Sequence, residues 1–151
     1  MAMFMVESTD ISSMPVLTLP ENDPPGARQG QLIGLLLEIL DGSAQPFVIA
    51  DASGLIAGCN SAFCRLVGYS RDELFLRHVA DLTPVEWREK ESAIIAGQIR
   101  SKMPAIYQKE YVRKGGARIH VELYDHAIYD KAGHPLYFYA FVTDVTGRQN
   151  R

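Results

Sequence analysis

The stretch FVIADASGLIAGCNSAFCRLVGYSRDEL, Phe47 to Leu74, packs two strand signals and two helix starts into one short run. Phe47 to Ala50 is apolar, Asp51-Ala52-Ser53-Gly54 carries turn chemistry, and Leu55 to Cys59 is apolar again. Two such runs around such a turn predict a β-hairpin. Asn60 follows with a short acceptor side chain suited to cap a helix over 61–67, which Gly68 would end. Ser70 and Glu73 then stand at capping-box spacing, and Tyr69 and Leu74 at the spacing of a hydrophobic staple. Two levels of local signal thus agree on one helix start.

Toward the N-terminus, QGQLIGLLLEILDG (29–42) reads as a helix stopped at Gly42. Leu32, Leu36, Ile39 and Leu40 form one stripe, with Ile33 and Leu37 beside it. A helix so apolar needs cover on more than one side, and its own domain and a second copy are the two covers expected. We therefore assign 29–44 to an amphipathic dimerisation segment, and 1–28, rich in Ser, Thr, Asp and Pro, to a flexible tail.

Toward the C-terminus, Thr83-Pro84-Val85-Glu86 has the form of a second capping box with proline at the first helical position. The helix is expected to run to about Arg100, before Pro104 forbids continuation. Strands are expected over Ala105–Arg113, Arg118–Tyr129 and Leu136–Val145, joined at Lys114–Ala117 and Asp130–Gly133. Two strands, then helices, then three strands imply an α+β fold, an antiparallel sheet with helices on one face.

Composition narrows the function. The 151 residues suit one domain, and the net charge of −3 argues against a dedicated nucleic-acid binder, so no nucleic-acid partner is expected for this domain. Cys59 and Cys64 fit neither a CxxC motif nor a zinc knuckle. The N-terminus does not read as a signal peptide, and Leu32–Leu40 is too short to span a bilayer, so a cytoplasmic location is expected. The sequence has no glycine-rich phosphate loop, HExxH or GxSxG, and a non-enzymatic role is expected.

Four blocks in order, FVIADASGLIAGCNSAFCRLVGYSRDEL, DLTPVEWRE, YQKEYVRKGGARIHVEL and FVTDVTGR, resemble a bacterial PAS domain over 46–148. The resemblance implies a five-stranded antiparallel sheet of order 2-1-5-4-3, with helices cradling a pocket against its inner face. It also implies a sensory, dimerising module without catalysis of its own, covalently linked to an effector such as a histidine kinase, diguanylate cyclase or transcription activator. The dimer interface would be Leu32, Ile33, Leu36, Leu37, Ile39 and Leu40.

The resemblance argues against the two best-marked cofactors and names no other. The flavin branch carries a reactive cysteine where this chain reads LFLRHVADLTP, and a glutamine near Val142. The haem branch carries an axial histidine on the long helix, which here has none. Two readings remain beside a haem sensor: a small-molecule sensor, and a ligand-free dimerisation scaffold. With strand phase taken from the resemblance, the pocket wall is expected to be Val48, Ala50, Val121, Leu123, Asp125, Phe138, Ala140 and Val142. Leu66, Trp87 and Ile94 would close it from the helices, and Tyr107 and Tyr111 point inward in the preferred phase. Asp125 stands out, because an inward carboxylate needs a partner, a proton or water. Tyr107, Tyr111 or Lys109 could supply one, whereas a one-residue slip would instead turn the carboxylate outward. Finally, Asp144 and Thr146 stand where the family's last strand passes into an outgoing signal helix, with 149–151 as the start of a truncated linker.

Overall fold

The computed structural model describes residues 25–147, with side chains from Gly30 onward. The expectations for 1–24 and 148–151, most of the tail and the start of the output linker, lie outside the described residues. The elements run α1 (Pro25–Asp41), β1 (Phe47–Asp51), β2 (Ile56–Cys59), α2 (Ser61–Val67), α3 (Arg71–Leu74), a 3-10 turn (Val79–Leu82), α4 (Val85–Ser101), β3 (Ala105–Val112), β4 (Arg118–Tyr129) and β5 (Pro135–Asp144). The five strands form one antiparallel sheet of order β2-β1-β5-β4-β3, the expected architecture.

Local chemistry accounts for most boundaries. Asn60 caps α2 by accepting from the Phe63 amide, and Gly68 ends the helix at φ 78°, the left-handed region that glycine enters at little cost. Ser70 and Glu73 form the full capping box of α3. Two expectations need correction. The first helix begins at Pro25 rather than residue 29, since proline is well placed at a first helical position. Thr83 does not cap α4: its hydroxyl donates to the Val79 carbonyl and accepts from Lys109, leaving no side-chain cap at that helix start.

The core lies between the inner face of the sheet and α2, α3 and the 3-10 turn. Phe63, Val67, Leu74, Leu82, Val121 and Val142 are fully buried there, each contributing about 2 kcal/mol of apolar burial. On the opposite face of the sheet, α1 packs over β2. Its Leu37 lies against Gly58, where a Cβ would stand 2.3 Å from the Leu37 side chain. Ile33, Leu37 and Leu40 are half-buried, whereas Leu32, Leu36 and Ile39 remain exposed at 38%, 49% and 66%. The same outer face carries an aromatic cluster of Phe47, Tyr139, Phe141 and His126, with the His126 and Tyr139 rings stacked.

Asn60 joins these layers. Its Oδ1 accepts from the Phe47 and Phe63 amides at 2.9 and 3.1 Å, and its Nδ2 donates to the Leu40 and Gln45 carbonyls at 2.9 and 2.8 Å. One buried amide thus holds the end of α1, the start of β1 and the start of α2. Asn60→Ala is expected to cost about 2–3 kcal/mol, because it removes a cap and strands buried backbone groups. Urea denaturation measures this; an unchanged midpoint would contradict it.

Candidate functional site

The helical layer does not close fully on the sheet. A cavity of about 260 Å³ separates α4 and the Asp51–Gly54 turn from the inner faces of β1, β3, β4 and β5. Its apolar side is Val48, Ala50, Leu123, Phe138 and Ala140, and its polar side is Glu91, Lys109 and Asp125. The space follows from the register. Asp125 lies between Ala105 on β3 and Ala140 on β5, so the middle of the sheet carries short side chains.

Lys109 is the most demanding group in this wall. Its side chain is 2% exposed, and burial depresses its basicity, which Glu91 partly restores. Nζ contacts both Glu91 carboxylate oxygens, at 2.9 and 2.7 Å, and donates to Thr83 Oγ1 at 2.9 Å. It also sits 4.4 Å from the centroid of the Tyr111 ring, whose hydroxyl burial holds well above the usual phenol range. Tyr107 donates to Glu91 Oε2 at 2.9 Å, so one carboxylate from α4 gathers two side chains of β3.

Asp125 points inward, as one strand phase requires, and is 8% exposed. Two of the partners expected for it are engaged elsewhere: Tyr107 and Lys109 both turn to Glu91. Asp125 Oδ1 has no hydrogen-bond partner, and neither does the buried Gln98 Oε1. Gln98 instead donates from Nε2 to the Asp125 carbonyl at 3.2 Å. Desolvation pushes the Asp125 carboxyl up to about 7; the nearby Gln98 amide and Lys109 oppose the rise, and Glu91 adds to it.

Of the side chains expected in the wall, Val48, Ala50, Tyr107, Tyr111, Leu123, Asp125, Phe138 and Ala140 line the cavity. Val121 and Val142 are buried in the adjoining core, with Leu66 packed against it. Trp87 and Ile94 also stand outside the wall. The Trp87 indole N–H donates to Glu110 Oε1 at 3.1 Å, and its ring meets His120 edge-on. The face that α4 turns to the cavity is Arg88, Glu91, Ser92 and Ile95. Apolar periodicity selects Trp87 and Ile94, but a helix that covers a polar cavity turns polar residues inward. Arg88, Glu91, Ser92 and Ile95 share a face by helical spacing, but every face of a helix has that spacing, so it does not single this one out. His78, Val79 and Ala80 complete the mouth with the Asp51–Gly54 turn.

The Cys59 and Cys64 sulfurs lie 3.6 Å apart, and burial pushes the Cys59 thiol up to about 12, which keeps it protonated. At the end of β5, Asp144 accepts from the Thr146 amide at 2.9 Å, while Thr146 Oγ1 accepts from the His120 amide at 3.0 Å and donates to its carbonyl. Thr146 and Gly147 then form a turn, with Gly147 at φ 95°. An outgoing helix, expected after this point, would fall beyond the described residues.

Comparison with known proteins agrees with this geometry. The sequence model of the PAS domain family matches residues 44–147. Among solved structures, a PAS domain from Colwellia psychrerythraea superposes with a TM-score of 0.70 at 18% identity, covering 78% of this chain and 99% of that one. A PAS domain from a two-component sensor histidine kinase gives 0.61 at 16% identity, covering 77% and 98%. An RNA-binding light-oxygen-voltage receptor gives 0.65 at 22% identity, covering 89% of this chain and 38% of that one. No curated protein matches the chain.

Two outcomes test the electrostatics of the wall. Lys109→Met is expected to cost about 3 kcal/mol in urea denaturation, since it leaves a largely buried Glu91 carboxylate unpaired, and adding Glu91→Leu should restore part of that loss. A double variant as unstable as the sum of the two singles would refute the pairing. For Asp125, the folded carboxyl holds its proton from the usual 3.8 up to about 7, so the folded state binds the extra proton in that window. Stability therefore falls as pH rises from about 4 to 7. Asp125→Asn is expected to flatten that fall and to raise the melting temperature at pH 8 but not at pH 4. A variant that keeps the parent's pH slope would contradict this.

Proposed function

This chain belongs to the PAS domain family, and on that premise we propose that it is the sensory module of a bacterial signalling or transcription-regulatory protein. The module binds a small ligand in the cavity beneath α4 and relays its state as a homodimer to a covalently linked effector. It performs no catalysis, binds no nucleic acid and works in the cytoplasm; among the described residues no helix is long and apolar enough to cross a membrane. The observation that carries the reading is the cavity itself: a recessed apolar wall with a few placed polar groups is the form of a small-molecule site. A ligand shifts a sensor only through unequal affinity for two states. Glu91 and Lys109 offer a means, because a ligand that competes for either loosens the tie between α4 and β3.

The relay would pass through the two ends of the domain. Thr146, held by the Asp144 carboxylate through its amide, binds the end of β5 to the backbone of His120, whose ring meets Trp87 of α4. A second copy would cover the exposed Leu32, Leu36 and Ile39 on α1, together with Ile33, Leu37 and Leu40 at the edge of that surface. That same exposed stripe favours the second reading, a ligand-free dimerisation scaffold.

Native mass spectrometry of protein taken directly from cells separates the two. The sensor reading expects a dimer that carries a small molecule in addition to the polypeptide mass. A dimer of bare polypeptide favours the scaffold, and a monomer at high micromolar concentration contradicts both.

A further inference from the structure

We propose that the ligand is a small organic ammonium, an apolar body bearing one protonated amine that pairs with Asp125. This rests on the sensory reading above and names the chemical class that its cavity takes.

Asp125 is an unmet acceptor. Asp125 is more than nine-tenths buried, lines the cavity and leaves Oδ1 without a donor. Buried polar groups are nearly always satisfied, and a carboxylate accepts but does not donate. Lys109 and Tyr107 are committed to Glu91, Gln98 Nε2 donates to the Asp125 carbonyl, and Tyr111, which lines the same cavity, makes no hydrogen bond to Oδ1. Above about 7, where the carboxyl is ionised, a ligand can bring the donor that Oδ1 lacks.

Charge selects among donors. The cavity is lined by the carboxylates of Asp51, Glu91 and Asp125 against the fixed cations of Arg88 and Lys109. These two cations are themselves engaged, Arg88 with the Thr83 carbonyl and Lys109 with Glu91 and the Thr83 hydroxyl. The other carboxylates are engaged likewise, Glu91 with Lys109 and Tyr107 and Asp51 with Ser53 and Leu55, which leaves Asp125 as the lining carboxylate with an unmet oxygen. A cation answers that carboxylate and supplies N–H donors. The remainder of the wall, Val48, Ala50, Leu123, Phe138 and Ala140, suits an apolar body. At about 260 Å³ the space lies near the lower end of organic-ligand sites.

The test uses the whole chain and two probe sets, phenethylamine with phenethyl alcohol and hydrocinnamate, and butylamine with butanol and butyrate. Calorimetric titration at pH 8 is expected to show at least one amine binding about tenfold or more tighter than its alcohol, with the acid weakest. Amine affinity should weaken as pH falls through about 7, where Asp125 takes up its proton. Charged and titratable groups around Asp125 are Glu91 and Arg88 on α4, Lys109, Tyr107 and Tyr111 on β3, Asp51 on β1, Tyr139 behind it on β5, and His78 at the mouth. Imidazoles as a class change charge in this range, so a His78→Gln variant separates that contribution. Asp125→Asn should remove the amine's advantage over the alcohol; if that variant does not fold, the pH dependence in His78→Gln decides. Alcohols or acids binding as well as amines would overturn the amine class and leave the sensory reading standing. Silence from every probe overturns the amine class, and an empty protein in native mass spectrometry would overturn the sensory reading as well.

Discussion

A buried ammonium has to be surrounded by acceptors, and Lys109 finds them only if α4 and the turn before it lie over β3. Glu91 and Thr83 come from that helix and that turn, and Tyr107 joins through Glu91. Desolvating either ion alone would cost several kcal/mol, so the arrangement stands or fails as a unit. It fixes the height and rotation of α4 at one edge of the sheet. It also explains why Thr83, placed by sequence at a helix start, gives its hydroxyl to a lysine instead of a cap.

The clamp at β3 and the packed core under α2, α3 and the 3-10 turn support the helical layer at two places. Between them the sheet presents Ala50, Ala140 and the short Asp125, and the face of α4 above them does not fill the gap. A cavity is the consequence. Its polar side is made by the same ions that hold the helix, so occupancy of the cavity and the position of α4 share residues.

Much of the fold is legible in local chemistry. The hairpin turn, the Asn60 cap, the Gly68 stop and the Ser70–Glu73 box each act over a few residues, and each is found where its spacing puts it. Strand phase is legible too, since alternation in β4 places Val121, Leu123 and Asp125 on one face. The start of the first helix is not, because Pro25 lies in a run with the composition of a tail, although proline suits a first helical turn.

The candidate site is legible on its sheet side and not on its helix side. Alternation has only two phases, so a resemblance in strand order is enough to choose between them. A helix offers many faces, and α4 turns Arg88, Glu91, Ser92 and Ile95 inward, a face that hydrophobicity does not mark. By itself, then, the sequence determined the element order, most caps and the two alternating sets of strand residues, because these depend on interactions between near neighbours; which set faces inward came from the family resemblance. Only the tertiary structure decided that Glu91 takes both Lys109 and Tyr107 and leaves Asp125 Oδ1 without a donor. That choice depends on competition among groups far apart in the chain, and distance and burial, rather than spacing, decide who wins.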